Sequence, residues 1–149
     1  MTPQWFEKLD QFCIARMRRW GIPLLRIALG VVFLWFGLLK VFGVSPVEYL
    51  IKATYSFLPL QPFITFLGVW EVLVGLGLIF GVALRLTLAL LWLQMAGTFV
   101  SLVLSPTMFF SHGNLFLLTT EGEFVIKNLV LITAGLVIGG HEVKKNLES

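Results

Sequence analysis

Residues 62–104 have the sequence PFITFLGVWEVLVGLGLIFGVALRLTLALLWLQMAGTFVSLVL, whose only ionisable side chains are Glu71 and Arg85. A helix needs about 20 predominantly apolar residues to cross the hydrocarbon core of a bilayer. The stretch therefore predicts two transmembrane helices, at about 62–83 and 86–104. The connection at Arg85 is so short that these helices must be antiparallel neighbours.

Two further apolar stretches flank this pair and predict a first span at about 23–44 and a fourth at about 121–140. Hydrophobic residues make up 58% of the 149-residue chain and charged residues 13%, whereas soluble domains carry about 25% charge. Four spans leave little of the chain for a separate soluble module. We therefore predict an all-α membrane protein in which residues 1–149 form one four-helix transmembrane bundle.

The N-terminal segment, at about residues 4–20, has an amphipathic pattern. Its apolar side chains recur at helical spacing, at Trp5, Leu9, Phe12, Cys13, Met17 and Trp20. Charged side chains occupy the other faces, which is typical of a helix lying in the plane of the membrane surface. We predict an interfacial amphipathic helix on the inner membrane surface, with Pro23 beginning the first span.

Two capping boxes predict helix starts on the opposite side of the membrane. Ser45-Pro46-Val47-Glu48 predicts a short helix that extends to about Ser56. Thr120-Glu121-Gly122-Glu123 predicts the beginning of the fourth span.

The distribution of Lys and Arg predicts the orientation in the membrane. One set of span ends carries Lys8, Arg16, Arg18, Arg19, Arg26, Arg85, Lys144 and Lys145, whereas only Lys40, Lys52 and Lys127 lie on or towards the other side. The positive-inside rule therefore places both termini and the Arg85 connection in the cytoplasm. We expect Arg26, Arg85, Lys144 and Lys145 to contact anionic lipid headgroups.

The composition also excludes several classes of function. A single cysteine, Cys13, cannot form an internal disulfide or a CxxC pair. His112 and His141 fall on opposite sides of the membrane, so we expect no metal site, and we identify no catalytic residue. The basic residues lie beside apolar spans, where they act as topology signals, and we expect no nucleic-acid partner.

Polar side chains within the spans are the candidates for a site, because ionisable groups in hydrocarbon are costly and usually functional. Counted from the outer end of each span at 1.5 Å per residue, five of them lie in one layer about 6 to 15 Å deep. These are Lys40, Glu71, Gln94, Lys127 and Asn128. A second group, Arg26, Thr98, Ser101 and Glu123, lies on or near the same faces.

A structural interpretation competes with the ligand-binding one at each of these positions. Glu71 is either a buried structural group or a ligand or proton site, and we predict that it pairs with Lys40 while Lys127 leans outward to Glu123. Gln94 is favoured as interhelical hydrogen-bonding glue. Two cations and one acid in the layer would also attract a small anion or a polarised carbonyl.

Glycines predict where helices approach each other closely. Gly30 and Gly37 share a face of the first span with Arg26 and Lys40, and Gly68 and Gly75 share the face of Glu71. Gly77 and Gly81 form a GxxxG pair, which predicts close packing either inside the bundle or in a homo-oligomer.

The sequence resembles the DoxX-like superfamily of small four-span membrane proteins. The resemblance lies in Leu25-Arg26-Ile27-Ala28-Leu29-Gly30 with Gly37-Leu38-Leu39-Lys40, in Gly68-Val69-Trp70-Glu71, and in Glu123-Phe124-Val125-Ile126-Lys127-Asn128. Within the superfamily it is most similar to the RclC (YkgB) inner-membrane family, which is associated with resistance to reactive chlorine species. The loop between the first two spans is shorter here than in the RclC pattern.

The resemblance implies a multi-pass protein of the bacterial inner membrane, and some DoxX members are subunits of a thiosulfate:quinone oxidoreductase. Matching motifs carry over Arg26, Gly37, Lys40, Glu71 and Lys127. Our leading hypothesis is an accessory subunit in membrane redox or oxidative-stress defence that has no activity as an enzyme on its own. It would bind a small polar molecule or a quinone headgroup in the polar layer, and it would have the lipid bilayer and a redox partner subunit as partners. The alternatives are a small-solute or ion transporter or channel along the Arg26-to-Lys40 face, and a membrane assembly factor or scaffold.

Overall fold

The computed structural model describes residues 4–143, which form helices joined by short loops. The helices are α1 (Gln4–Val41), α2 (Glu48–Thr54), α3 (Leu60–Phe80), α4 (Leu84–Leu104), α5 (Pro106–Phe109), α6 (Thr120–Ile126) and α7 (Asn128–Ile138). A 3₁₀ turn, Ser111–Gly113, follows α5, and a π-helical turn, Gly139–Val143, follows α7. Four helical stretches are long and apolar enough to cross a membrane: Trp5–Val41, Leu60–Phe80, Leu84–Leu104 and Thr120–Val143. The predicted all-α membrane bundle is confirmed.

The first helix differs from the prediction. We expected Pro23 to begin a new helix, but α1 continues from Gln4 to Val41 with Pro23 inside it. Proline removes one hydrogen bond from a helix and crowds the preceding turn, at a cost of about 3 kcal/mol, yet it does not stop helical residues on either side of it from continuing. The membrane-surface position of residues 4–20 stays a prediction.

Both helix caps lie one or two positions from where the capping boxes placed them. Helix α2 begins at Glu48 after Val47, which makes no side-chain cap, so the Ser45 cap is wrong. Helix α6 is capped by Thr119, whose hydroxyl accepts a hydrogen bond from the Gly122 N–H at 3.1 Å, and not by Thr120. The fourth span also differs from the single predicted helix, because the helix is interrupted at Lys127 between α6 and α7.

The helix bundle has two ends, which we name after the connections that they carry. The hairpin end carries the tight turn between α3 and α4, and the loop end carries α2 and residues 105–119. At the loop end Phe109 is fully buried, and the Thr119 hydroxyl donates to the Met108 carbonyl at 2.6 Å. An isolated antiparallel bridge joins Phe110 to Leu118.

Helices α1 and α3 pack through glycines. A Cβ on Gly37 would lie 2.6 Å from the Gly68 carbonyl oxygen, and one on Gly75 would lie 2.8 Å from the Gly30 carbonyl oxygen. Backbones can approach this closely only where side chains are absent, which is the usual role of small residues between membrane helices. The four glycines fix the register of α1 against α3, and with it the positions of the polar residues on both helices.

Helices α1, α3, α4 and α7 share an apolar core. Val74, Leu78, Leu91 and Ile138 are fully buried, and they come from α3, α4 and α7. Membrane helices have no hydrophobic force driving them together, so this close packing provides the contact energy.

Both glycines of the GxxxG pair, Gly77 and Gly81, pack against side chains of the same chain. Gly77 faces the Thr87 side chain of α4, and Gly81 ends α3 in a left-handed conformation at φ 68°. A Cβ on Gly81 would lie 2.5 Å from the Arg26 guanidinium. Of our two alternatives, the structure therefore supports packing inside the bundle rather than a homo-oligomer through Gly77 and Gly81.

Candidate functional site

A buried ion pair joins α1 to α3. The Lys40 amine donates to the Glu71 carboxylate, with Nζ 2.6 Å from Oε2. Lys40 is 6% exposed and Glu71 8% exposed, so both charges are shielded from the surroundings of the protein. Helices α1 and α3 are antiparallel, so Lys40 and Glu71 lie one turn from the Gly37–Gly68 contact in opposite directions. The close approach of the two helices lets the long Lys40 side chain reach across the contact to Glu71. The predicted pairing of Lys40 with Glu71 is confirmed.

Gln94 brings α4 into the same cluster. Its side-chain Nε2 donates to Glu71 Oε1, so both carboxylate oxygens accept a hydrogen bond. The predicted interhelical bond of Gln94 is therefore confirmed. The amide oxygen of Gln94 is buried and accepts no hydrogen bond from the part of the chain that the structure describes. We call Lys40, Glu71 and Gln94 the polar cluster.

The hydrogen-bonding capacity of the polar cluster is only partly used. A lysine ammonium has three N–H donors, and the structure assigns one of them to Glu71. The Gln94 oxygen can accept, and the formal charges of Lys40 and Glu71 cancel. The cluster thus offers donors and one acceptor side by side, in a region without net charge.

Lys127 lies outside the polar cluster. Its side chain is 72% exposed and its amine lies 3.6 Å from Glu123, which is 60% exposed. The predicted outward pairing of Lys127 with Glu123 is confirmed, and Asn128, half-buried, follows as the first residue of α7. Because Lys127 is not in the cluster, the excess positive charge that we expected there is absent, and the charge argument for a small anion is lost.

Thr98 and Ser101 use their hydroxyls within their own helix. Thr98 donates to the Gln94 carbonyl at 3.1 Å, and Ser101 donates to the Thr98 carbonyl. Membrane helices commonly satisfy hydroxyl groups in this way. The structure therefore extends the polar cluster by backbone-bonded hydroxyls, and not by a continuous polar stripe that faces another helix.

Arg26 joins α1 to the C-terminus of α3 at the hairpin end. It donates to the Leu78 carbonyl at 2.7 Å, and its Nε lies 2.9 Å from the carboxylate of Glu142. The carbonyls at the C-terminus of α3 and a carboxylate provide partners for Arg26 within the chain, whereas contact of Arg26 with lipid headgroups stays a prediction. Arg85 is exposed at the same end. Lys144 and Lys145 lie outside the described residues.

Sequence reasoning missed two residues at the edges of this arrangement. Glu142 follows the predicted end of the fourth span, and only the packing of that span against α1 brings it to Arg26. Tyr55 follows α2, and its hydroxyl donates to the Gly97 carbonyl of α4 at 2.9 Å, one turn from Gln94. Burial raises the pKa of the Tyr55 hydroxyl. The residue type gave one usable signal, since a tyrosine next to a membrane span often buries its ring and bonds through its hydroxyl.

A second tyrosine joins the outer segments to each other. The Tyr49 hydroxyl, on α2, donates to the carboxylate of Glu121 at the start of α6. This hydrogen bond raises the pKa of Tyr49. The segment between α1 and α3 is therefore anchored at two points, to α6 through Tyr49 and to α4 through Tyr55.

Comparison with known proteins gives one match. The model of the DoxX family matches residues 21–104, which is more than half of the chain and includes Lys40, Glu71 and Gln94. No curated protein and no solved structure gives a significant match. The closer resemblance to the RclC family stays a prediction.

Proposed function

The chain belongs to the DoxX family, and from that premise we propose that it is an accessory membrane subunit in redox or oxidative-stress defence. It binds a small polar molecule, or the headgroup of a quinone, at the polar cluster. One observation carries the proposal: the amide oxygen of Gln94 is buried beside a buried ion pair and accepts no hydrogen bond from any of residues 4–143. A buried polar atom that lacks a partner costs about 1–3 kcal/mol, which a ligand with a donor group would offset.

The unused groups favour a ligand that both donates and accepts hydrogen bonds. A hydroxyl on the ligand would donate to Gln94 Oε1, and a carbonyl or second hydroxyl would accept from the Lys40 amine. Hydroquinones and quinones carry such oxygens on one ring, and they partition into the bilayer where the cluster lies. The balanced charge of Lys40 and Glu71 favours a neutral headgroup over a free anion.

Lysine, glutamate and glutamine side chains do not themselves carry electrons, so the redox role rests on the ligand and on a partner subunit. In this role the polar cluster holds the headgroup, and a partner enzyme exchanges electrons with it. The protein alone would then have binding activity without turnover. We place it in the bacterial inner membrane on the strength of the resemblance to the RclC family, with both termini cytoplasmic on the strength of the Lys and Arg distribution.

The transporter alternative loses its proposed path. The face of α1 from Arg26 to Lys40 packs backbone to backbone on α3, because Gly30 lies against Gly75 and Gly37 against Gly68. Such contacts leave no room for a solute between the helices. The scaffold alternative stays open, because a buried ion pair can also specify which helices pack together.

A binding measurement separates the headgroup site from the scaffold. The purified protein in nanodiscs is titrated with a short-chain ubiquinone and its quinol. Binding is followed through the fluorescence of Trp70, which precedes Glu71, in a background in which the other four tryptophans are replaced by phenylalanine. We expect Gln94→Leu to weaken quinol binding about tenfold or more, because it removes the unpartnered acceptor and the hydrogen bond from Gln94 to Glu71 while keeping the Lys40–Glu71 ion pair. Lys127→Met serves as the matched control and should leave binding unchanged, because Lys127 lies outside the cluster. No saturable binding by the wild type, or equal losses in both variants, would leave the scaffold as the better explanation.

A further inference from the structure

The first half of α1 is exposed in the part of the chain that the structure describes. Every residue from Trp5 to Gly21 is exposed, although the segment contains large apolar side chains. At 100° per residue seven apolar side chains fall within one arc of about 140°, Ile14 lies outside this arc, and Arg16 is the charged residue inside it. We call it the apolar arc, and its members are Trp5, Phe6, Leu9, Phe12, Cys13, Met17 and Trp20.

The length of α1 excludes a simple crossing. Its 38 residues extend for about 57 Å, whereas the hydrocarbon core is about 30 Å thick. The portion from Pro23 to Val41 is sufficient to cross by itself. The preceding segment also carries six charged residues, Glu7, Lys8, Asp10, Arg16, Arg18 and Arg19, which disfavour a position in hydrocarbon. This half of the helix therefore lies outside the hydrocarbon core.

A straight continuation into water would leave the apolar arc exposed. Burying one large apolar side chain gains about 1.5–3 kcal/mol, so an uncovered arc of seven such residues is unfavourable. Pro23 lacks the N–H that would close the preceding turn, and prolines are the commonest sites of sharp helix kinks. Gly21 adds backbone freedom next to Pro23, because glycine has no Cβ.

We propose that in the membrane α1 bends at Gly21–Pro23 and that residues 4–20 lie along the surface at the hairpin end, bound to anionic phospholipid. The apolar arc enters the headgroup region. The segment has four basic and two acidic residues, an excess that complements anionic headgroups. Trp5 and Trp20 lie near its two ends, and tryptophan prefers the membrane–water interface.

A second copy of the chain is a poorer occupant of the arc. A coiled-coil seam through Trp5, Leu9 and Phe12 would continue at position 16, which is Arg16. A cation would then occupy a core position. Arg16 instead lies over the Phe12 ring, with its guanidinium carbon 5.2 Å from the ring centroid, and Arg19 lies over Trp20 at 5.8 Å. At the headgroup level, an arginine next to an aromatic ring can reach a lipid phosphate while the ring enters the apolar region.

The single native cysteine makes a direct test feasible. Cys13 is exposed and lies in the apolar arc, whereas Gln11 lies about 160° away around the helix. The full chain carries an environment-sensitive fluorophore at Cys13 or, as the matched control, at Gln11→Cys in a Cys13→Ser background. Each protein is reconstituted into vesicles of phosphatidylcholine alone or mixed with phosphatidylglycerol. Quenching is measured with nitroxide-labelled lipid and with aqueous iodide.

We expect the Cys13 label to be quenched by shallow lipid nitroxide and the Gln11→Cys label by iodide, with the contrast larger in the anionic vesicles. Arg16→Gln together with Arg19→Gln should reduce the fraction of molecules whose residues 4–20 lie on the anionic surface, measured as weaker quenching of the Cys13 label by lipid nitroxide. Each basic residue removed weakens surface binding by about fivefold. Arg85→Gln, at the same end but outside the segment, should have no such effect. Equal iodide quenching at both positions would overturn the proposal. Efficient disulfide cross-linking between Cys13 residues of two copies, without lipid quenching, would overturn it in favour of a second copy.

Discussion

Gly37 and Gly68 face each other so closely that a Cβ on Gly37 would lie 2.6 Å from the Gly68 carbonyl oxygen. The added atom would also lie 2.7 Å from the Val72 nitrogen, so it would meet rigid backbone on two sides. The α1–α3 contact therefore depends on the absence of a side chain at position 37. It also sets the position of the polar cluster, because Lys40 and Glu71 lie one turn from this contact on opposite sides of it and pair across it.

Gly37→Ala should destabilise the protein by about 1–3 kcal/mol, because overpacking a close helix contact forces the backbones apart. Gly97→Ala is the matched control, since a Cβ there would meet nothing within 4 Å and alanine favours the helix. Thermal unfolding in detergent, followed by circular dichroism, measures both variants. A Gly37→Ala protein as stable as the wild type would show that the close contact is not needed.

The sequence was sufficient to predict the spans and the Lys40–Glu71 pair. Hydropathy and length predict the spans. Helical spacing places Lys40 and Glu71 beside glycines that permit close approach of the helices. It was insufficient for Glu142, whose partnership with Arg26 depends on how the fourth span packs against α1. Depth alone grouped Lys127 with the polar layer, because depth along a span does not say which side of the helix faces the core, whereas the outward pairing of Lys127 with Glu123 was predicted correctly.

The course of α1 shows a different limit. Proline often begins a helix, and that tendency favoured a break at Pro23, but the helix continues through it. A single missing hydrogen bond is a modest cost when both flanks are helical. Whether it costs less to continue the helix through Pro23 or to break it there depends on the surroundings of the helix, which a sequence pattern does not describe.

Tyr55 predicts a dependence on alkaline pH. Burial raises its pKa above the ordinary value of 10.0, so the folded protein holds the proton more tightly than the unfolded chain does. This contribution to stability is fully present below the ordinary pKa and is lost as the pH rises through the higher folded pKa. In the neutral range, Tyr55→Phe should cost about 0.5–1.5 kcal/mol, since it removes the hydrogen bond to the Gly97 carbonyl.

Melting temperatures of the wild type and Tyr55→Phe, measured in the same detergent at increasing pH, test this dependence. We expect the gap between them to narrow once the pH exceeds the ordinary pKa of tyrosine, because only the wild type loses the contribution of Tyr55. Other groups that titrate in alkali affect both proteins alike. A gap that stays constant across the alkaline range would contradict the assignment.

The orientation can be tested at two exposed positions on opposite ends of the bundle. In a Cys13→Ser background, His112→Cys should react with a membrane-impermeant maleimide added outside intact bacterial spheroplasts. Arg85→Cys should react only after the membrane is permeabilised, because the positive-inside rule places the hairpin end in the cytoplasm. The reverse pattern of labelling would invert the topology, and with it the side from which the polar cluster is reached.

The last prediction concerns the stability of the buried pair. Lys40→Met alone leaves the Glu71 carboxylate buried without its cation, and Glu71→Gln alone leaves the Lys40 amine buried without its anion. Either change should cost about 3–5 kcal/mol if the remaining group stays charged. The double variant Lys40→Met with Glu71→Met should recover much of that loss, because apolar side chains of similar volume replace both charges together. Lys127→Met is the control, since the exposed Lys127–Glu123 pair contributes at most about 1 kcal/mol. Thermal unfolding in one detergent measures all four variants. If the double variant is restored in stability and still binds quinol as the wild type does, the pair is a packing device and Gln94 alone remains of the proposed site. If stability returns but binding does not, the two charges are retained for the ligand.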